Sequence, residues 1–317
     1  MEPQPLASIV FSFRNEEQVI PELIARLRAA LVPLPIDFEL IFVNDDSTDR
    51  SLTLLTEHAR EDPRVKIVNM SRRFGVSECV LAGMQYAQGD AIVYMDTDLQ
   101  DPPELLPEMI DKWRQGADVV YTVRASRQGE SAFKLWLTRR AYHFINAASD
   151  IDLPVEAGDF KLLSRRVVDE LLKLKEKNPY LRGLVRWVGF KQVPVYYTRQ
   201  PRAAGVTHFP IFGSKGPIMT FVSGFTSFST QPLTAFLWLG LLVCLVALVS
   251  LVVMLARALT GVSWPDWAGL AAILLLVSGV QLIGIGTLGL YLGRVYNDVR
   301  DRPHYIVEST VGFDKDT

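Results

Sequence analysis

The chain has 317 residues, with 33 basic and 35 acidic side chains and a formal charge of −2. That length holds one α/β domain of about 200 residues and something smaller, and the balanced charge argues against a global basic field aimed at nucleic acid. Two cysteines, Cys79 in an apolar helical pattern and Cys244 in a long apolar run, exclude a disulfide framework or a cysteine metal cluster, and both read as buried thiols.

Met1–Ala7 has no basic flank leading into an apolar core, so the domain that follows reads as cytoplasmic. From Leu6 to about Tyr121, β-rich runs at Ala7–Phe11, Phe38–Val43, Val65–Val68 and Ala91–Met95 alternate with amphipathic stretches at Glu17–Leu31, Asp49–Arg60, Gly75–Ala87 and Pro103–Gln115. Strands separated by helices at this spacing predict βαβ units and a mostly parallel sheet. Ligands of such sheets bind beyond the carboxyl ends of the strands. Asp45 and Asp46 follow the second run, and Asp96 and Asp98 follow the fourth.

Further on, Ser131–Ala148 carries Phe133, Trp136, Leu137, Phe144 and Ile145 at helical spacing beside Lys134, Arg139 and Arg140. It reads either as an interfacial helix or as a helix packed on the sheet with a solvated basic face. No charge occurs between Lys215 and Arg257, a span of 41 positions, or between Asp266 and Arg294, a span of 27. About 20 apolar residues cross a bilayer core, so Leu233–Ala256 and Trp267–Leu292 are predicted to form a transmembrane hairpin. Lys215 before it and Arg294, Arg300 and Arg302 after it place both termini in the cytoplasm. Pro217–Gln231 is expected to lie along the interface, and Gly289 with Gly293 suits close helix packing. The expected organisation is a catalytic domain over 1–210, an interfacial linker over 211–231, a two-helix membrane hairpin over 232–297 and a cytoplasmic tail over 298–317. The tail's Arg300–Val307 reads as an extended segment returning to the catalytic domain or as a disordered basic anchor.

Asp96-Thr97-Asp98-Leu99-Gln100-Asp101 follows an apolar strand and precedes Pro102-Pro103. Two carboxylates two residues apart at a strand end stay ionised cheaply only with a cation between them. A hard divalent ion, Mg²⁺ or Mn²⁺, meets that demand and also bridges to a diphosphate. On these residues alone the pattern is weak and a solvated acidic turn is the favoured reading. His58, His143 and His304 have no metal-site spacing.

Several segments carry a wider resemblance: Asn15-Glu16-Glu17, Val43–Asp49, Ser71–Gly75, Asp96–Glu104, Gly158-Asp159-Phe160, Leu181-Arg182-Gly183, Trp187–Phe190, Arg202–Gly205 and Thr226–Thr230. In this order and over essentially the full length, the chain resembles the family 2 glycosyltransferases with the GT-A fold. The resemblance is to their polyprenyl-phosphate branch, which includes dolichol-phosphate mannose synthases and bacterial undecaprenyl-phosphate glucosyltransferases.

The resemblance implies a Rossmann-like α/β catalytic domain, a nucleotide-sugar donor, a polyprenyl phosphate acceptor, a divalent metal, a bacterial inner-membrane location and a homo-oligomer. Residue by residue, it implies Asp98 and Gln100 as metal ligands, with Asp96 holding the metal or the donor ribose. Asp45 is implied at the base edge, and Glu16 and the turn at Phe13 beside it. Asp159 is implied on the acceptor side. Arg124 and Arg127, with Lys134 beyond them, are implied at the lipid phosphate, and Arg202 in a loop closing over the diphosphate. A phosphate monoester acceptor is largely dianionic near neutral pH, so Asp159 is expected to orient it or balance charge.

The departures from the family pattern are Ser12, Arg14, Asp46, Arg73, Val76 and His208 where Pro, Tyr, Gly, Asn, Lys and Lys are usual. They cluster around the donor pocket, leaving the reaction type intact but loosening the assignment of the sugar; the expectation from the resemblance is a UDP-hexose with glucose first, and N-acetylhexosamine, mannose or a modified sugar as alternatives. A processive polysaccharide synthase would need more crossings, and a non-catalytic scaffold would be expected to lose Asp98 or Arg202.

Overall fold

The computed structural model describes residues 4–126, 157–176, 179–198 and 266–313, together with helical positions scattered between 236 and 252. Arg127, Lys134, Arg202, His208, Cys244, the Ser131–Ala148 segment and the Pro217–Gln231 linker lie outside the described residues, as does most of Leu233–Ala256.

The four predicted strands are present, each a little longer than its apolar run: β1 Leu6–Phe13, β2 Asp37–Asn44, β3 Val65–Met70 and β4 Ala91–Asp96. Helices α1 Ile20–Leu31, α2 Ser51–Glu61, α3 Val76–Tyr86 and α4 Leu106–Arg114 alternate with them, the last entered through a short 3₁₀ turn at Pro103–Leu105. Beyond these come β5 Val119–Ser126, β6 Ala157–Ser164, α5 Arg165–Lys173, α6 Leu181–Trp187, β7 Gln192–Thr198, the long α7 Asp266–Val299 and β8 Val307–Val311.

All eight strands share one sheet in the order β7-β5-β6-β4-β1-β2-β3-β8. The central β4-β1-β2-β3 block is parallel, whereas β6 runs antiparallel to both β4 and β5, and β8 antiparallel to β3. The fold is a GT-A-like α/β arrangement with a mostly parallel sheet.

Alternation along the strands divides the core in two. Ile9, Phe11, Leu40, Phe42, Val93 and Met95 face α1 and α4. Val10, Ile41, Val43, Ile92, Tyr94 and Leu163 face α3, α5 and α6. On that second face α3 lies close to the sheet at Gly83, where a Cβ would meet Val10 Cγ1 at 2.2 Å and Val43 Cγ2 at 3.1 Å. Gly83→Ala is therefore expected to destabilise the fold. The helix-propensity gain of about 1 kcal/mol is smaller than an overpacking cost of about 3 kcal/mol. The net of about 2 kcal/mol would lower the melting temperature by about 5 °C, measurable by intrinsic fluorescence.

One helix among the described residues is long and apolar enough to cross a membrane: α7, through Leu276–Gly293, none of which is buried by the rest of the protein. The described positions of the earlier apolar stretch, among them Phe236, Trp238, Leu242 and Val246, are helical. Phe236 Cδ1 is 3.7 Å from where a Cβ on Gly284 of α7 would lie. The tail after α7 is extended and ordered as β8, the first of the two readings of that segment.

Candidate active site

Strand β1 has β2 on one side and β4 on the other, so the order reverses beside it, and crevices of this kind bind ligands. Register aligns the strand ends there: Phe13 pairs with Asn44, Ser12 with Asp96 and Asn44 with Asn69.

The loops after β1 and β2 clamp each other. Asn15 N donates to Ser47 Oγ at 3.2 Å, Thr48 N to Asn15 Oδ1 at 2.8 Å, Glu16 N to Ser51 Oγ at 2.8 Å and Arg50 N to Glu17 Oε2 at 3.0 Å. The clamp requires left-handed backbone at Asn15 (φ 57°) and Asp46 (φ 60°). Asn and Asp adopt that region more readily than other side chains, which accounts for an aspartate where the family commonly has glycine.

Buried Asp45 accepts from Phe74 N at 2.6 Å and Gly75 N at 3.2 Å, so it holds the turn that opens α3. Glu78, one turn into α3, has its carboxyl raised by burial and by the Asp45 charge. Asn44 Nδ2 donates to Asn69 Oδ1 at 3.3 Å, Asn69 Nδ2 to Ser309 Oγ at 3.0 Å and Ser47 N to Asn44 Oδ1 at 3.0 Å. A relay thus joins the C-terminal strand to the Asp45–Ser47 turn.

Across the crevice, β4 delivers the second acidic cluster. Leu99 is buried with φ 57°, a conformation that costs a leucine about 1–2 kcal/mol. The turn it makes lets Gln100 N donate to Asp98 Oδ1 at 3.1 Å. Fully buried Asp101 accepts from Tyr197 Oη of β7. On β6, Asp159 accepts from Nε and Nη2 of Arg182 on α6 in a two-pronged ion pair. Burial, then the charges of Asp159, Asp98 and Asp101, push the Asp96 carboxyl up to about 7, while Arg182 opposes the shift.

The charges of Asp159, Asp98 and Asp101 all bear on Asp96, and among the described residues Arg182 of α6 and Lys161 of β6 are cations near them. A divalent ion would offset the mutual repulsion of these carboxylates. The predicted metal set is two carboxylates, Asp96 and Asp98, and the amide oxygen of Gln100. No group of three His, Cys, Asp or Glu side chains that could hold a metal occurs among the described residues. Oxygen donors of this number suit Mg²⁺ or Mn²⁺, which complete their shells with water and substrate phosphate rather than an all-protein cage. The residues present fit such an ion.

Most of the predicted residues come together. Phe13, Glu16 and Asp45 stand on one side of the crevice, and Asp96, Asp98, Gln100 and Asp159 on the other. Arg124 stands on β5 at the register position of Tyr197. Sequence reasoning assigned no role to Arg182 or Lys161. Arg182 stood in a recognised motif, and Lys161 interrupts the apolar run Phe160–Leu163 two positions after Asp159.

Comparison with known proteins agrees with this geometry. The family model described as "Glycosyl transferase family 2" matches residues 8–172. An uncharacterized glycosyltransferase of Bacillus subtilis, YkcC, is 45% identical over 97% of this chain and 94% of its own. The SfII prophage-derived bactoprenol glucosyl transferase of Shigella flexneri is 36% identical over 96% of this chain and 97% of its own. Among solved structures, mannosyl-3-phosphoglycerate synthase from Rubrobacter xylanophilus shares the fold with a TM-score of 0.50, at 15% identity over 70% of this chain and 73% of that one. With the crevice, the acidic turns and the matched core in agreement, the chain belongs to glycosyl transferase family 2.

Proposed function

We propose that the chain is an inverting glycosyltransferase that moves a hexose, glucose first, from a UDP-sugar to undecaprenyl phosphate at the cytoplasmic face of the bacterial inner membrane. The observation that carries this reading is the return of the chain from an apolar helix into the catalytic sheet. Helix α7 ends at Val299 and β8 starts at Val307, a gap spanning at most about 25 Å of extended chain. The crevice is thereby tethered close to any membrane that α7 enters, where a phosphate on a lipid is presented. Similarity to bactoprenol glucosyl transferases along nearly the whole chain supports the same acceptor.

The sheet also favours the hairpin. Since β1 and β8 belong to one sheet, the number of crossings between Thr198 and Val307 is even. With α7 as one crossing, Leu233–Ala256 is the natural second, and the approach of Phe236 to Gly284 supports their pairing. Catalytic domain and tail then share the cytoplasm. Open space around Gly286, Gly289 and Gly293 on α7 suits the close helix packing of a homo-oligomer.

In this reading Asp45 borders the base while its carboxylate holds Phe74 and Gly75, and Phe13 and Glu16 form the adjoining wall. Asp96, Asp98 and Gln100 would hold a divalent ion, which when bound neutralises the diphosphate as it leaves. Arg124, Arg127 and Lys134 bind the lipid phosphate, planar guanidinium groups being matched to its oxygens. Arg202 closes over the diphosphate. The acceptor dianion needs no strong base, so Asp159 orients it and balances charge. Direct displacement at the anomeric carbon inverts its configuration, giving a β-linked product from an α-linked donor.

Purified protein with undecaprenyl phosphate, Mn²⁺ or Mg²⁺ and radiolabelled UDP-sugars is expected to yield a labelled lipid, strongest with UDP-glucose and absent with chelator. A product only with another UDP-sugar would replace glucose in the proposal. No lipid product with UDP-, GDP-, CDP- or dTDP-sugars would defeat the reading and favour a scaffold.

A further inference from the structure

Beneath the Asp159–Arg182 ion pair lies a cation with no part in the reaction outlined above. Lys161 follows Asp159 by two residues on β6 and feels the charges of both Asp159 and Arg182, with Tyr94 of β4 and Tyr121 of β5 as its register partners. Its residue is 3% exposed, and its Nζ has no hydrogen-bond partner among the described residues. The buried Oη of Tyr94 has none either, and Nζ lies 5.8 Å from the centre of that ring. Burial lowers the ammonium to about 8, an effect that the Asp159 charge opposes and the Arg182 charge adds to. A sealed ammonium that donates to nothing costs several kcal/mol, and a leucine would pack there without that penalty.

We propose that Lys161 is a positioning residue that takes over Asp159 when the acceptor phosphate draws Arg182 away. The inference rests on the polyprenyl phosphate reading and deepens it. Arg182 has two of its donors committed to Asp159. A phosphate dianion competes for them with twice the charge and three acceptor oxygens. Once Arg182 turns to the phosphate, Asp159 loses its two-pronged ion pair while standing beside Asp96, whose carboxyl it already raises. Lys161 lies two residues further along β6, with a flexible four-carbon stem and three donors. The ammonium would then swing to the carboxylate. No proton moves and no bond forms or breaks in this exchange of partners.

The test uses the full chain in detergent, with undecaprenyl phosphate and the UDP-sugar that gives product. Lys161→Met removes the charge at similar volume, a replacement that is often neutral or stabilising for the fold. We expect kcat/KM for the lipid to fall about tenfold or more, the scale of one lost charge-assisted contact. UDP affinity in the presence of Mn²⁺, measured by calorimetry, stays unchanged, the melting temperature does not fall, and Lys161→Arg recovers most of the rate. In an Asp159→Asn background the same Lys161→Met change costs less than about twofold, since the two residues act as a unit. An unchanged kcat/KM, a loss of equal size in the Asp159→Asn background, or a matching loss of UDP affinity would overturn the exchange. If the wild-type chain forms no lipid product at all, the polyprenyl phosphate reading fails and the exchange falls with it. That outcome is distinct, because no variant then has a rate to lose.

Discussion

Asp98→Ala is expected to reduce lipid-linked sugar formation at least about a thousandfold, the scale on which removing one electrostatic contact to a leaving group acts, while leaving the fold as stable or more so. The two halves of the prediction have one cause. Asp98 adds to the charges that push Asp96 up to about 7, so without a cation its carboxylate is a source of repulsion. Removing it relieves the cluster, as replacements at sites built for function commonly do. In the proposed reaction, however, the leaving diphosphate would need the ion that Asp96, Asp98 and Gln100 would hold. The turn at buried Leu99, with φ 57°, is strained, and strain of this kind collects where geometry serves function, in keeping with the proposed role of Asp98 and Gln100 on either side of it. Initial rates over an Mn²⁺ titration, with thermal unfolding in parallel, decide the matter. More than a tenth of wild-type activity at saturating Mn²⁺ would remove Asp98 from the proposed ligands.

The legible and illegible parts of the sequence differ in how their strands are buried. β1 to β4 lie at the centre with both faces covered, so they read as continuous apolar runs between turns. Their carboxyl ends carried the acidic motifs, so Asp45, Asp96 and Asp98 could be placed at one edge before any coordinates. β6 pairs with β4 about 70 positions away and carries Asp159 and Lys161, which break an apolar pattern. β7 holds the edge with Pro194 and two exposed positions, where proline is tolerated. β8 is half polar and pairs with β3 across the whole intervening chain. Leu99 gives no hint of a left-handed backbone, because leucine rarely adopts one. The Arg182–Asp159 pair joins two recognised motifs, yet only the folded chain, in which α6 packs on α5 and α5 on β6, reveals that they meet.

Ending the chain at Pro303 is expected to lower the apparent melting temperature by about 10 °C and to weaken the donor site even where the protein stays folded. The lost segment does more than lengthen a sheet. Tyr305, Val307 and Phe313 pack against the α3 side of the core, Phe313 meets Tyr86 at 5.1 Å between ring centres, and Tyr305 Oη donates to Gln85. Partial burial of three such side chains is worth about 4 kcal/mol, and the bare β3 edge left behind would promote association through its unpaired backbone. The donor effect has a separate origin in the relay from Ser309 through Asn69 and Asn44 to Ser47. Ser309→Ala, which spares the packing, isolates it. A lost hydrogen bond of about 1 kcal/mol should raise the KM for the nucleotide sugar several-fold with little change in melting temperature. If truncation weakens the donor site but Ser309→Ala does not, the tail acts through packing alone; if both do, the segment that follows α7 also sets the Asp45–Ser47 turn proposed to border the base.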